Sequence, residues 1–204
     1  MKMRIASLSL LTVCCLMLAV APAMADTLYS NGPYNGNTSA WNIGFGFSVT
    51  DSISSTPDTF ATGLSIVTWD SPGDTLLNAE VQFGTASFGN NIFDSVLTPT
   101  LTRDIGINQY GYELDQWTFS FFTFLPAGTN WVTLQNEQSA FGLSIYWDEN
   151  SGPSSAYENT LGSIPSEAFT LTGFHEGTPE PSSISLFGSG IFGLAGILRR
   201  KLNH

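Results

Sequence analysis

Two runs, Leu64-Ser65-Ile66-Val67-Thr68-Trp69 and Leu76-Leu77-Asn78-Ala79-Glu80-Val81-Gln82-Phe83, stand on either side of Asp70-Ser71-Pro72-Gly73-Asp74. The first is rich in β-branched and aromatic residues, the second contains Val81 and Phe83, and the Pro-Gly pair flanked by aspartates is strong turn chemistry. Two strands with a turn between them are predicted, the second running from Leu76 to Phe88. Working outward, Trp41 to Thr50 alternates around Ile43, Phe45, Phe47 and Val49, and Thr56-Pro57-Asp58 separates it from the next run. Further strands are predicted at Ile92 to Val96, Tyr110 to Leu125, Trp131 to Leu134, Phe141 to Trp147 and Ala168 to Leu171. No stretch of this region sustains a 3.6-residue apolar period, and no repeat of fixed length is present. The pattern is that of a single all-β domain, an antiparallel β-sandwich of jelly-roll type.

The chain has 204 residues and a formal charge of −11, with 17 acidic and 6 basic side chains. Five of the six bases lie at the two ends, so residues 26–178 hold sixteen carboxylates against Arg103 alone, a formal charge of −15. A body without lysine cannot neutralise phosphates, which excludes nucleic acid and anionic lipid as ligands.

Residues 1–25 read as an export signal. Lys2 and Arg4 precede an uncharged apolar run from Ile5 to Val20, and Ala23 and Ala25 supply small-residue cleavage positions, with the cut placed after Ala25. The 16-residue run falls short of the ~20 that a membrane span needs. Cys14 and Cys15 both lie inside it, so the body after cleavage has no cysteine. About 150 residues suffice to fold without a disulfide. The expected partners at this step are the export machinery and signal peptidase.

Residues 178–204 form the third segment. Pro179-Glu180-Pro181 is followed by fifteen uncharged residues from Ile184 to Leu198 and then by Arg199-Arg200-Lys201. As a helix those fifteen residues span ~22 Å, long enough to enter a membrane, with the basic cluster as the stop on the cytoplasmic side. Gly188, Gly190 and Gly193 match the spacing of a dinucleotide fingerprint, but no strand precedes them and no acidic residue follows, so they are read as small residues of an apolar helix.

The three-part tail resembles the C-terminal sorting signal of the PEP-CTERM family of bacterial exported proteins. That resemblance implies recognition by an exosortase, a membrane-embedded cysteine protease or transpeptidase, in a Gram-negative, often biofilm-forming bacterium. It implies a processing address, so that the protein is anchored in the inner membrane transiently and then delivered to the cell surface or beyond. The chain lacks the Leu-Pro-x-Thr-Gly motif of the Gram-positive sortase route. Residues 26–177 also resemble a recurrent mature region of such proteins, through Trp131-Val132-Thr133-Leu134-Gln135-Asn136, Tyr146-Trp147-Asp148-Glu149-Asn150-Ser151-Gly152 and Ile164-Pro165-Ser166-Glu167-Ala168-Phe169-Thr170. No activity comes with that second likeness.

Chemistry narrows further by elimination. The body has one histidine, His175, read as a linker residue, and no cysteine or lysine, so nucleophilic triads, thiol mechanisms and the usual catalytic zinc have no members. A non-catalytic protein with a structural or carbohydrate-contacting role on extracellular polysaccharide is expected. The alternative is a hydrolase using a carboxylate pair. No cofactor is required, though Asp148, Glu149, Asn150 and Glu158 offer hard oxygens for calcium. For stacking on sugar rings, Trp41 and Trp147 are the expected exposed pair, with Tyr110 and Tyr112 as weaker candidates.

Overall fold

The computed structural model describes residues 25–176. The predicted signal peptide and the sorting tail with its apolar helix lie outside the described residues.

Among the described residues, thirteen strands form two antiparallel sheets. The larger contains β1 (Asp26–Ser30), β2 (Ala40–Asn42), β4 (Thr59–Asp70), β7 (Thr100–Ile107), β8 (Glu113–Leu125), β10 (Tyr146–Asp148) and β13 (Phe169–His175). The smaller contains β3 (Ser48–Ser55), β5 (Leu76–Gly84), β6 (Phe93–Leu97), β9 (Gly128–Ser139), β11 (Ala156–Glu158) and β12 (Gly162–Ile164). In the first, the twelve residues of β4 pair with β8 along one edge and with β13 and then β10 along the other. In the second, β9 lies between β3 and β5. The chain changes sheet on passing from β3 to β4, from β4 to β5 and from β8 to β9. The turn at Asp70–Asp74 therefore joins two sheets instead of closing a hairpin.

One apolar cluster joins the sheets. Leu64, Ile66, Trp117, Phe119 and Leu171 from the larger sheet meet Val49, Ile53, Phe83, Val132 and Leu134 from the smaller. Period-2 alternation brings this about, because every second residue of each strand faces inward. β4 shows the rule and its interruption. Ala61, Leu64 and Ile66 are inward and buried, while Phe60, Ser65 and Trp69 belong to the outer face. The parity change coincides with a register shift between Ala61 and Gly63.

Each predicted strand overlaps an observed one, but only Leu64 to Trp69 and Trp131 to Leu134 fall wholly within theirs; of Phe141 to Trp147 only the last two residues are in β10, and the first predicted strand does not run through. Trp41 to Thr50 is divided between β2 and β3 by a turn in which the Phe47 amide donates to the Gly44 carbonyl at 2.9 Å. Phe45 there has φ 54° and Gly46 φ 90°, so Phe45 is 65% exposed although it holds an apolar position in the alternating pattern. The run from Leu76 likewise ends at Gly84, short of Phe88. His175 is the last residue of β13 and no linker: its Nδ1 lies 3.1 Å from Thr59 Oγ1 and 3.2 Å from Thr56 Oγ1.

Candidate functional site

β10 fixes the chemistry of this end of the larger sheet. Tyr146 pairs with Trp69 and Trp147 with Thr68, so alternation sends Trp147 inward and Tyr146 and Asp148 to the outer face. Trp147 is fully buried, edge-on to Phe169 at 5.7 Å, and its Nε1 donates to the Ala168 carbonyl at 3.0 Å. The expectation that it is an exposed stacking residue is therefore overturned. It is a core residue whose polar edge is satisfied internally. Trp41, on the neighbouring strand, is half-buried, and its Nε1 donates to Glu149 Oε2 at 3.1 Å.

The exposed aromatic surface is instead built on Trp69. Its ring is stacked by Tyr110 at 5.7 Å and met by Tyr112 at 5.9 Å, and Tyr112 in turn meets Tyr146 edge-on at 5.9 Å. Tyr110 is 57% exposed while Trp69 beneath it is 6% exposed. The turn between β7 and β8 holds the two tyrosines in place: Asn108 Oδ1 accepts from the amides of Tyr110 and Tyr112 at 2.9 and 3.0 Å, and Gly111 takes φ 86°. Beneath the platform, Asp148 Oδ1 accepts from Trp69 Nε1 at 2.6 Å and from the Gly36 amide at 2.9 Å, and Oδ2 from the Asn35 amide at 2.8 Å. Polar groups rim it, with Gln109 Nε2 donating to the Asn37 carbonyl and Asn42 Nδ2 to Ser144 Oγ. Along the same face lies a depression of ≈ 130 Å³, lined in part by Tyr34, Ser65, Gln116 and Thr170. Gln116 Nε2 donates to Ser65 Oγ at 2.9 Å there. Sequence reasoning ranked Tyr110 and Tyr112 second and passed over Tyr146, because the alternation that turns Trp147 inward becomes visible only with the register of β10.

A second grouping lies between the sheets. Asp51 is fully buried, and its Oδ2 accepts from Asn31 Nδ2 at 3.0 Å and from the Glu167 amide at 2.8 Å. Burial pushes its carboxyl up to about 6 despite those donors. Glu167 stands opposite Glu149 in an isolated antiparallel bridge, is itself fully buried, and neither carboxyl oxygen has a hydrogen-bond partner among the described residues. Burial, with Asp51, Glu149 and Asp148 nearby, raises Glu167 well above the usual carboxylate range. Asp70 and Glu137 are pushed up to about 7 and Asp115 to about 6, in each case chiefly by burial. Asp70 and Glu167 stand in motifs quoted above, but nothing in the sequence marks any of these acids as interior. They follow from a composition so poor in cations that a carboxylate buried here meets no partner charge.

The four residues expected to offer calcium ligands do not converge. Asp148 is engaged on the outer face as described, and Glu149 is turned to Trp41. Asn150 donates through Nδ2 to the Asn31 carbonyl at 2.7 Å. Glu158 belongs to β11 of the other sheet, where its Oε2 accepts from the Thr160 and Leu161 amides at 3.0 and 2.8 Å. Among the described residues no three His, Cys, Asp or Glu side chains stand together as a metal-binding group.

A comparison with curated proteins finds no match to this chain. Residues 178–201, just beyond the described body, match the family model of the PEP-CTERM protein-sorting motif. The chain therefore carries a PEP-CTERM protein-sorting motif, which marks it as an exported, surface-directed protein with an exosortase as its processing partner.

Proposed function

We propose that this is a non-catalytic protein of the cell surface or extracellular polysaccharide matrix, whose jelly-roll-like sandwich contacts polysaccharide through the outer face of its larger sheet. The observation that carries the reading is Tyr110 stacked, exposed, on a buried Trp69 that Asp148 fixes in turn. A ring fixed in this way offers a sugar an apolar face at little entropic cost, and the Ser65–Gln116 depression beside it supplies hydroxyl and amide partners. A setting among the matrix glycans of a Gram-negative, biofilm-forming cell agrees with the sorting motif. The hydrolase alternative has less support, because the carboxyls with raised pKa at Asp51 and Glu167 are fully buried between the sheets instead of lining a cleft.

The test is retention of the protein in affinity electrophoresis through gels containing the exopolysaccharide of its host. Retention is expected, with Tyr110→Ala lowering it at least several-fold while the β-sheet circular dichroism stays unchanged. Equal retention of the variant would remove the platform from the reading, and release of reducing ends from the polysaccharide would favour the hydrolase.

A further inference from the structure

At the opposite end of β4 from Trp69 the outer face carries a second aromatic surface of different character. Phe174, Phe60 and Phe124 form a row across β13, β4 and β8, since Phe60 is the register partner of both the others. Phe60 and Phe174 stack at 5.4 Å and 15°, Phe60 and Phe124 lie 5.3 Å apart, and Phe122 completes the cluster at 5.6 Å from Phe60. Phe122 is 63% and Phe124 46% exposed. No hydroxyl or indole N–H belongs to the cluster, so it lacks the polar handle that suits the tyrosine platform to sugar. A contiguous apolar surface of two exposed and two half-buried phenylalanines marks a contact site.

Its place in the chain indicates the occupant. Phe174 is two residues from Glu176, where the described body ends, and ten from Ile184, where the apolar stretch of the sorting tail begins. Ten residues reach at most ~35 Å when fully extended. While the tail is in the membrane this end of the body is therefore held within that distance of the lipid, and the tyrosine platform lies about nine residues along β4, ~30 Å from the cluster. Charge selects the kind of lipid. Around the cluster stand Thr62, Ser120 and Thr172, with Asp58, His175 and Glu176 at the edge, while the one lysine or arginine among the described residues, Arg103, lies opposite Gln116 on β8. An anionic surface would repel this face, and a zwitterionic one would not.

We propose that Phe60, Phe122, Phe124 and Phe174 form a membrane-contacting face that rests on zwitterionic lipid while the chain is still tethered by its tail. This rests on the reading in which Ile184 to Leu198 enters the membrane. Four phenyl rings at the headgroup boundary bury apolar surface that water otherwise covers, and the tether removes most of the entropic cost of bringing them there. Loss of the tail removes the tether and releases the contact.

The experiment uses the chain from Asp26 to His204, which lacks cysteine, in phosphatidylcholine vesicles containing a nitroxide-labelled lipid. A fluorescent probe is attached through Ser120→Cys beside the cluster or, as control, through Ser54→Cys, an exposed site on the opposite sheet. The expected result is quenching at position 120, at least threefold stronger than at position 54, which Phe122→Ser with Phe124→Ser abolishes while the protein still floats with the vesicles. Both phenylalanines are substantially exposed, so the fold is expected to survive; should circular dichroism show otherwise, Phe122→Ser alone replaces the pair. Equal or absent quenching at the two positions in floating protein overturns the contact but leaves the anchored tail standing. Disulfide-linked dimers through Ser120→Cys would assign the face to a second copy and overturn it as well. Protein that fails to float overturns the membrane reading of the tail together with the contact.

Discussion

Trp69 Nε1 donates a 2.6 Å hydrogen bond to Asp148 Oδ1, and the same carboxylate accepts the amides of Asn35 and Gly36. One side chain thus ties β10 to β4 and to the loop before β2, and it orients the ring on which Tyr110 lies. Four acceptor positions on a carboxylate suit three donors, whereas an amide offers only one oxygen and turns an N–H toward another donor. Asp148→Asn is expected to cost about 1–3 kcal/mol, read as a lower midpoint in urea unfolding with an unchanged slope. Retention on exopolysaccharide should fall with it. An unchanged midpoint would show that the carboxylate does not hold the loop.

Trp147 and Tyr110 separate stability from ligand contact. Truncating the fully buried Trp147 removes a large core side chain and leaves the Ala168 carbonyl without its donor, so Trp147→Ala is expected to cost about 3–5 kcal/mol. Tyr110→Ala trims an exposed ring and should change the urea midpoint by less than about 1 kcal/mol. Thermal and urea melts of the two variants check this. Comparable losses from both would contradict the burial difference between them.

Gly44 and Glu137 make a third test. A Cβ placed on Gly44 would lie 1.3 Å from Glu137 Oε2, because that carboxyl occupies the space over the glycine while its Oε1 accepts from the Ile145 amide at 3.2 Å. Gly44→Ala must therefore displace a buried acid, at an expected cost of about 1–3 kcal/mol. Placed on a Glu137→Ala background, the same substitution meets no carboxyl and should cost much less. A double-mutant cycle on urea midpoints measures the difference, and simple additivity would show that the glycine and the acid are independent.

How much of this was legible beforehand follows from what alternation reports. The inward residues of β8 and β9 are readable because Trp117 and Leu134 stand between polar neighbours over strands that run on, and in β4 Ser65 separates Leu64 from Ile66. β7 has no comparable signal, since Thr100 to Ile107 is mostly exposed and shows no sustained apolar period. Trp41 to Thr50 misled for the opposite reason: its alternation is regular, but Gly44 and Gly46 permit a turn that leaves Phe45 outside. The exposure of a given aromatic depends on register with a strand far away in sequence, as the Trp147–Thr68 pairing shows, and the sorting tail escapes this difficulty because its pattern is contiguous. The interior acids were the least visible, because a carboxylate in a strand looks the same in sequence whether it faces water or Glu149 opposite Glu167.

Those interior acids set the pH dependence of stability. Asp70 and Glu137 are pushed up to about 7 and Asp51 and Asp115 to about 6, against ordinary values of 3.8 for Asp and 4.5 for Glu. Between pH ~4 and ~7 the folded chain holds protons that the unfolded chain has released, so stability falls as pH rises through that window. Below pH ~4 both states are protonated at these groups and no penalty remains, while above pH ~7 it is fully present. Asp74 acts in the other direction: despite some burial, amide donors from Phe141 and Thr75 hold its pKa below the ordinary value, and its contribution is lost as pH falls below ~4. The body should thus be most stable in mildly acidic solution, with a melting temperature several degrees higher at pH 5 than at pH 8. Asp70→Asn removes one of the largest shifts without changing the shape of the side chain, so it should flatten the loss between those two values. A wild-type melting temperature that rises from pH 5 to pH 8 would mean that the buried carboxyls are ionised without cost in the folded protein.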